Sequence, residues 1–122
     1  MDQTFRFPQP DNLNGLEIVD EFGSFTLSQR HMGKWVRQNS ASATTVTVPV
    51  MPGLPRGCNC IVEAYGAGTV TVAGIGGLTG QPSLHPRGTY ATSIVSAGQY
   101  AVIGMFSEGA NVWSVSGDCT VT

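Results

Sequence analysis

The sequence predicts an all-β fold: an antiparallel β-sandwich, jelly-roll-like, with an extended N-terminal arm. Short blocks in which β-branched or aromatic residues alternate with Thr or Ser recur along the chain, and Gly, Pro or Asn lies between them. A chain of 122 residues is also long enough for one core and too short for two. We therefore expect an arm over residues 1–22 and a β-domain over residues 23–122 with about nine strands.

The arm is predicted from aromatic residues that are followed by prolines. Pro8 and Pro10 prevent a helix, and an extended chain places Phe5 and Phe7 on the same side. Such an arm can anchor the protein to a neighbouring polypeptide, whereas the alternative is a mobile terminus. The anchoring candidates are Phe5, Phe7, Pro8, Leu13 and Leu16.

The β-domain begins with a short strand at residues 25–27. Ser28 is the predicted N-cap of a single helical turn, and Gly33 ends this turn by adopting a positive φ. Residues 34–38 then return to extended structure. In this strand Val36 is expected in the core if Trp35, on the other face, lies in an interface.

Three strands are predicted in the middle of the chain. Residues 44–48 alternate Thr and Val as a one-sided strand does, and Pro49 ends it. Residues 58–65 are apolar on both sides, which is typical of a central strand. Residues 66–68, Gly-Ala-Gly, are expected to form a tight hairpin to the strand at 69–72.

The last third of the chain predicts one irregular stretch and two further hairpins. Residues 73–88 are rich in glycine and leave room only for short strand pieces around Leu78 and Leu84. Residues 89–95 and 99–106 are expected to pair through a turn at 96–98. Residues 111–116 and 118–121 are expected to pair through Gly117.

The charge pattern limits the classes of partner. Charged residues make up only 11% of the chain, and the net charge is −2. Residues 1–21 carry five acids and one arginine, a net charge of −4, and the five cations of the remainder are scattered. A nucleic-acid binder needs a concentrated basic face, so nucleic acid is not an expected partner. The low charge favours a surface covered by partner chains, or else a monomer whose surface is made polar by Thr and Ser.

No catalytic, cofactor or metal site is predicted. Two histidines and three cysteines show no familiar zinc spacing, and Cys58 and Cys60 lie in an apolar strand where burial disfavours a reactive thiolate. The glycine-rich stretch at 74–80 lacks the third glycine of the dinucleotide fingerprint and a following helix pattern. No run of about 18 apolar residues is present, so membrane insertion is not predicted, and the first residues do not predict a secretory signal, so we expect synthesis in the cytoplasm.

Three motifs carry a family resemblance. TVTVP at 45–49, GAGTVTV at 66–72, and Trp113 shortly before Gly117-Asp118 follow the same order as in small β-domains of bacteriophage particles. Over residues 23–118 the chain resembles phage head-decoration (cement) proteins and tail-fibre tip domains. The resemblance implies a structural protein of the virion, on the capsid surface or the tail, made in the host cytoplasm.

The resemblance leaves two functions open. A homotrimeric cement protein would bind the major capsid protein, or another virion protein, through its arm and so stabilise the shell. Its core or trimer-contact residues would be Trp35, Tyr65, Tyr90 and Trp113. A tail-fibre or head-fibre tip would instead recognise a host surface glycan or protein, with His85, Arg87 and Glu108 beside Tyr90 as its receptor surface.

Overall fold

The chain folds into two mixed β-sheets, and the computed structural model describes residues 16–74, 83–86 and 91–122 of it. In these residues the all-β prediction is confirmed, since one 3₁₀ turn, Gln29–His31, is the sole helical element. No described helix has the length and apolarity needed to cross a membrane. The strands are β1 (Glu17–Glu21), β2 (Phe25–Thr26), β3 (Lys34–Gln38), β4 (Thr44–Val48), β5 (Asn59–Glu63), β6 (Val70–Gly74), β7 (Ser83–Pro86), β8 (Ser93–Ser96), β9 (Val102–Gly109), β10 (Val112–Gly117) and β11 (Cys119–Val121).

The six-stranded sheet has the order β1-β3-β5-β9-β10-β7, and the five-stranded sheet has the order β11-β8-β6-β4-β2. The first six strands alternate between the two sheets. Wherever two of these six strands are neighbours in a sheet, they run parallel to each other. This half of the chain is therefore a coil of three turns, β1–β2, β3–β4 and β5–β6. The prediction of purely antiparallel sheets was wrong, because successive turns of a coil run in the same direction.

The loops of successive turns lie against each other at one side of the coil. The Gly66 N–H donates to the Gln38 carbonyl at 3.0 Å, and the Gly68 N–H donates to the Ser40 carbonyl at 2.9 Å. A Cβ added at Gly68 would overlap the backbone of Ser42. The predicted hairpin at 66–68 was thus wrong: β5 and β6 lie in different sheets, and these glycines permit close stacking of loops instead.

In the second half of the chain, β8, β9, β10 and β11 join the sheets through antiparallel pairs, and β7 pairs with β10 in parallel. The pairs predicted through residues 96–98 and through Gly117 were also wrong, because each of those turns carries the chain from one sheet to the other. The hairpin that does form joins β9 to β10, and its turn holds Ala110 and Asn111 at φ +53° and +66°. Two consecutive positive φ values give the turn the twist that a hairpin requires.

One hydrophobic core draws on both sheets. Val46, Val72 and Ile94 enter it from the five-stranded sheet, and Val62 and Ile103 enter it from the six-stranded sheet. All five side chains are fully buried. Val46 and Val48 alternate with outward threonines as the one-sided pattern of residues 44–48 predicts, and Val36 is buried as expected.

The six-stranded sheet begins within the predicted arm. Glu17–Glu21 forms β1 and pairs with β3 in register from Glu17↔Lys34 to Glu21↔Gln38, so the predicted boundary at residue 22 falls after the first strand. Residues 1–15, with Phe5, Phe7, Pro8 and Leu13, lie outside the described residues, as does Leu78.

Candidate interaction surface

The outer face of the six-stranded sheet is the most distinctive surface of the described chain. In β3 the side chains of Val36 and Gln38 are buried. Trp35 and Arg37, which alternate with them, are half-buried and point outward. In β9 the same alternation buries Ile103 and Met105 and exposes Val102, Phe106 and Glu108. We call the outward-pointing side chains of β1, β3, β5 and β9 the outer face.

A row of apolar side chains crosses the outer face at one level. Ile18 of β1 is opposite Trp35 of β3, Trp35 is opposite Ile61 of β5, and Ile61 is opposite Gly104 of β9. The missing side chain at Gly104 is compensated by the Phe106 ring, which a Cβ added at Gly104 would approach to 3.2 Å. Ile18 is 46% exposed and Phe106 is 45% exposed, so the row is open to solvent at both ends.

The polar groups next to this row are already paired within the face. The Trp35 indole N–H donates to a carboxylate oxygen of Glu63 at 3.0 Å, and Glu63 is buried under this contact. Arg37 Nε donates to Asp20 Oδ1 at 3.1 Å. This hydrogen bond outweighs burial and raises the pKa of the Arg37 guanidinium, so Arg37 is charged at every pH of interest.

Aromatic rings gather at the end of the face where β5 ends. The Arg37 guanidinium lies 4.0 Å from the centre of the Tyr65 ring, which is a cation–π contact. Tyr65 and Tyr100 meet edge to face with their centroids 5.8 Å apart. The backbone of Tyr100 has a φ of +68°, which is unusual for a bulky residue, and its side chain is 59% exposed.

The five-stranded sheet presents a different outer surface. Its outward positions on β4 and β6 carry short hydroxyl or small side chains that pair in register, Thr45 with Thr71 and Thr47 with Ala73, and Val95 of β8 lies opposite Thr71. Seven large hydrophobic side chains are exposed in the described residues, and only Val121 belongs to this sheet. The other six lie in or beside β1 and β9: Leu16, Ile18, Phe22, Tyr100, Val102 and Phe106.

A serine, a histidine and a glutamate meet beside the 3₁₀ turn, but their geometry is that of a cap. Ser28 Oγ lies 3.3 Å from His31 Nδ1, and His31 Nε2 lies 3.0 Å from Glu21 Oε2. The backbone N–H of Ser28 also donates to Nδ1 at 3.0 Å, so this nitrogen is already used as an acceptor and cannot take a proton from the hydroxyl. His31 is fully buried, which also keeps substrate away.

The predicted N-cap and end of this turn are confirmed. Ser28 and His31 form a reciprocal capping box, and Gly33 has a φ of +76°. Burial raises the pKa of the Glu21 carboxyl, but the hydrogen bonds from His31 and Arg30 outweigh it and hold that pKa below its usual value.

A cavity of about 330 Å³ lies between the loop at 50–54 and the β9–β10 turn. Met51, Leu54 and Trp113 give it an apolar wall, and no charged side chain lines it. The Ser107 hydroxyl in its wall accepts a hydrogen bond from the Gly109 N–H at 3.2 Å.

Metal and thiol chemistry find little support in the part of the chain that the structure describes. No group of three or more His, Cys, Asp or Glu side chains there could hold a metal ion. Cys58 and Cys60 are free thiols. Burial raises the pKa of the Cys60 thiol to about 12, so it is protonated at neutral pH.

The chain was compared with protein-family models, with curated proteins and with solved structures. None of them matches. The surfaces of this molecule are therefore the guide to its function.

The structure places the predicted contact residues in two different environments. Trp113 is 2% exposed and belongs to the core, whereas Trp35 and Tyr65 lie together on the outer face. Leu16, from the predicted arm set, is 39% exposed immediately before β1. Glu108 is exposed at the end of β9, and the backbone of His85 lies in β7. The His85 side chain, Arg87 and Tyr90 lie outside the described residues, so the predicted receptor set stays a prediction.

Four exposed apolar residues of this surface were not predicted as contacts from the sequence: Ile18, Tyr100, Val102 and Phe106. The sequence of β9, VIGMFSEG, is apolar at both alternating positions until Phe106, so its pattern alone does not separate an outer side from an inner one. The signal that could have found this surface is the pairing of β9 with β5, which no local pattern encodes.

Proposed function

We propose that the chain is a structural protein of a bacteriophage particle, a homotrimeric decoration (cement) protein that binds the major capsid protein on the capsid surface through its N-terminal arm. The observation that supports this most is the concentration of exposed apolar side chains on the outer face and beside β1. Monomeric proteins rarely expose contiguous apolar patches, and such patches usually contact other polypeptides. The architecture that we propose is a two-layer sandwich whose coiled first half differs from the all-antiparallel order of a jelly roll.

The residues that carry the phage resemblance occupy structural positions. Val46 and Val48 of the TVTVP motif are core residues, Gly66 and Gly68 stack the coil loops, and Trp113 is buried. These motifs therefore specify the fold. The function has to be inferred from the side chains on the surface. A small protein that binds only the assembled shell adds its binding free energy to the stability of the shell, and many repeated sites multiply that gain.

The N-terminal arm is the segment that we propose to bind the shell. In the sequence, residues 1–15 precede Leu16 and β1, and β1 is the edge strand of the six-stranded sheet in the described part of the chain. Phe5 and Phe7 in the arm are the anchors that we propose for the shell, because aromatic side chains bury large areas at protein interfaces.

Capture by undecorated capsids tests this function. The full chain should co-sediment with purified capsids that lack it and should raise the temperature at which they disassemble. Deletion of residues 1–14 should abolish capture, because it removes the anchors, while the circular dichroism spectrum keeps its β signal. Capture that survives the deletion, or labelled protein found only at the tail by electron microscopy, would contradict the proposal.

The aromatic end of the outer face favours a second candidate, a fibre tip that binds host surface glycans. Tyr65 and Tyr100 stand beside the charged Arg37, and sugars dock on aromatic faces next to a few polar groups. In this case host-cell binding should survive deletion of residues 1–14. Tyr100→Ala or Arg87→Ala should remove it.

A further inference from the structure

We propose that the outer face of the six-stranded sheet is the surface through which copies of this chain associate with each other. This inference deepens the proposed function, because it assigns the contact that would hold the proposed trimer together. The occupant that we propose for the outer face is a second copy of the same chain.

The composition of the outer face is that of a protein interface. Interface centres are depleted in unpaired charges and enriched in Trp, Tyr, Phe and Arg, and a few rigid residues of these types supply most of the binding energy. Here Trp35 is fixed by Glu63, and Arg37 is fixed between Asp20 and Tyr65. These side chains are held in place by contacts within one chain, so their ordering adds little entropic cost to binding.

The charges of the face indicate which partner fits. On this face the guanidinium of Arg37 in β3 is neutralised by Asp20 of β1 at 3.1 Å. Glu63 is satisfied by the Trp35 indole. A strongly charged partner would find no free counter-charges among these groups, whereas a second copy brings an equally apolar surface with its charges equally paired.

The whole chain also permits this association. A net charge of −2 gives little repulsion between copies, and low net charge promotes association. The apolar row continues across β9, because the Phe106 ring lies over Gly104. Ile18 extends the row to the edge strand β1, where Leu16 and Phe22 are also exposed.

The test measures the association of the full chain by sedimentation equilibrium. Ile18→Thr combined with Phe106→Thr removes two apolar side chains that are each close to half exposed, so the fold should be retained. We expect the dissociation constant between copies to rise by about tenfold or more, because the row loses both of its ends. The matched control is Val121→Thr, which changes a side chain of the same 46% exposure in the other sheet and should leave the constant unchanged.

Tryptophan fluorescence gives a second readout on the unmodified protein. Trp113 is buried at every concentration, so quenching by acrylamide reports on the half-buried Trp35. Quenching should fall as the protein associates, and the double variant should remain quenchable at the same concentrations.

Three results would overturn the inference: a wild-type chain that stays monomeric, an oligomer in which Trp35 is as quenchable as in the monomer, or equal weakening by Val121→Thr. These results are separate from capsid capture. Association through the outer face without capsid capture would contradict only the cement function. Capsid capture by a chain that does not associate through this face would contradict only this inference.

Discussion

At the scale of single residues, the most constrained group is the buried polar contact of Ser28, His31 and Glu21. The Ser28 N–H donates to His31 Nδ1, so the proton of a neutral His31 is on Nε2 and is donated to Glu21. Arg30 donates to the same carboxylate oxygen. This contact ties the end of β1 to the 3₁₀ turn, and all three members are polar residues that a burial pattern would not select.

Glu21 makes this contact dependent on pH. Its folded-state pKa is lower than its ordinary value of 4.5, so its stabilising contribution is complete above about pH 4.5 and is lost as the pH falls through the folded pKa. We expect Glu21→Gln to lower the free energy of unfolding at pH 7 by about 1 kcal/mol and to flatten its dependence on pH below 4.5. Urea titrations between pH 3 and pH 7 measure both effects.

Glu17→Gln is the control for this prediction. Glu17 is 71% exposed and its contact with Lys34 is long, so the variant should keep the wild-type pH dependence. A Glu21→Gln chain with the wild-type curve would mean that this carboxylate does not support the fold.

At the scale of elements, the sequence predicted where strands form better than how they pair. Strands β3 and β4 and the capped turn follow from local signals, namely alternation, a Ser N-cap and a glycine with positive φ. Which strands pair could not be predicted from local signals. Gly-Ala-Gly at 66–68 gives the same signal whether the chain turns back into a hairpin or passes close to a neighbouring loop. The outer face was also predicted only in part. Trp35 and Tyr65 were predicted as contact residues, but which residues of β1 and β9 lie beside them depends on the order of the strands in the sheet.

The stacked loops of the coil give a prediction at this scale. Gly68→Ala places a Cβ into the backbone of Ser42, and a displaced loop would strain the hydrogen bond to Ser40. We expect a loss of about 1–3 kcal/mol in the free energy of unfolding, as for other overpacked sites. Gly23→Ala is the control, since nothing lies within 4 Å of its added Cβ and its φ is not positive. If thermal or urea unfolding shows equal stability for the two variants, the loops are not in close contact.

At the scale of the whole molecule, two sheets share one core and present unlike outer surfaces. One is apolar and aromatic with paired charges, and the other is covered by threonine and small residues.

This division predicts how self-association responds to salt. Contacts between apolar side chains are not screened by ions, so raising NaCl from about 0.05 to 0.5 M should change the dissociation constant by less than about threefold. Sulfate should tighten association, because it strengthens the burial of apolar surface. A weakening of tenfold or more in NaCl, measured by sedimentation, would mean that charged groups hold the copies together.

The coiled half of the molecule also has a direction of growth. Each turn adds one strand to each sheet and pairs with the turns next to it, whereas the far side of the coil pairs with β9 in one sheet and with β8 in the other. Another turn placed ahead of β1 and β2 would lengthen the molecule by about 4.8 Å and leave the existing interior untouched. Length can therefore vary at this end in small equal steps, as it does in repeat proteins, without a new fold having to be found.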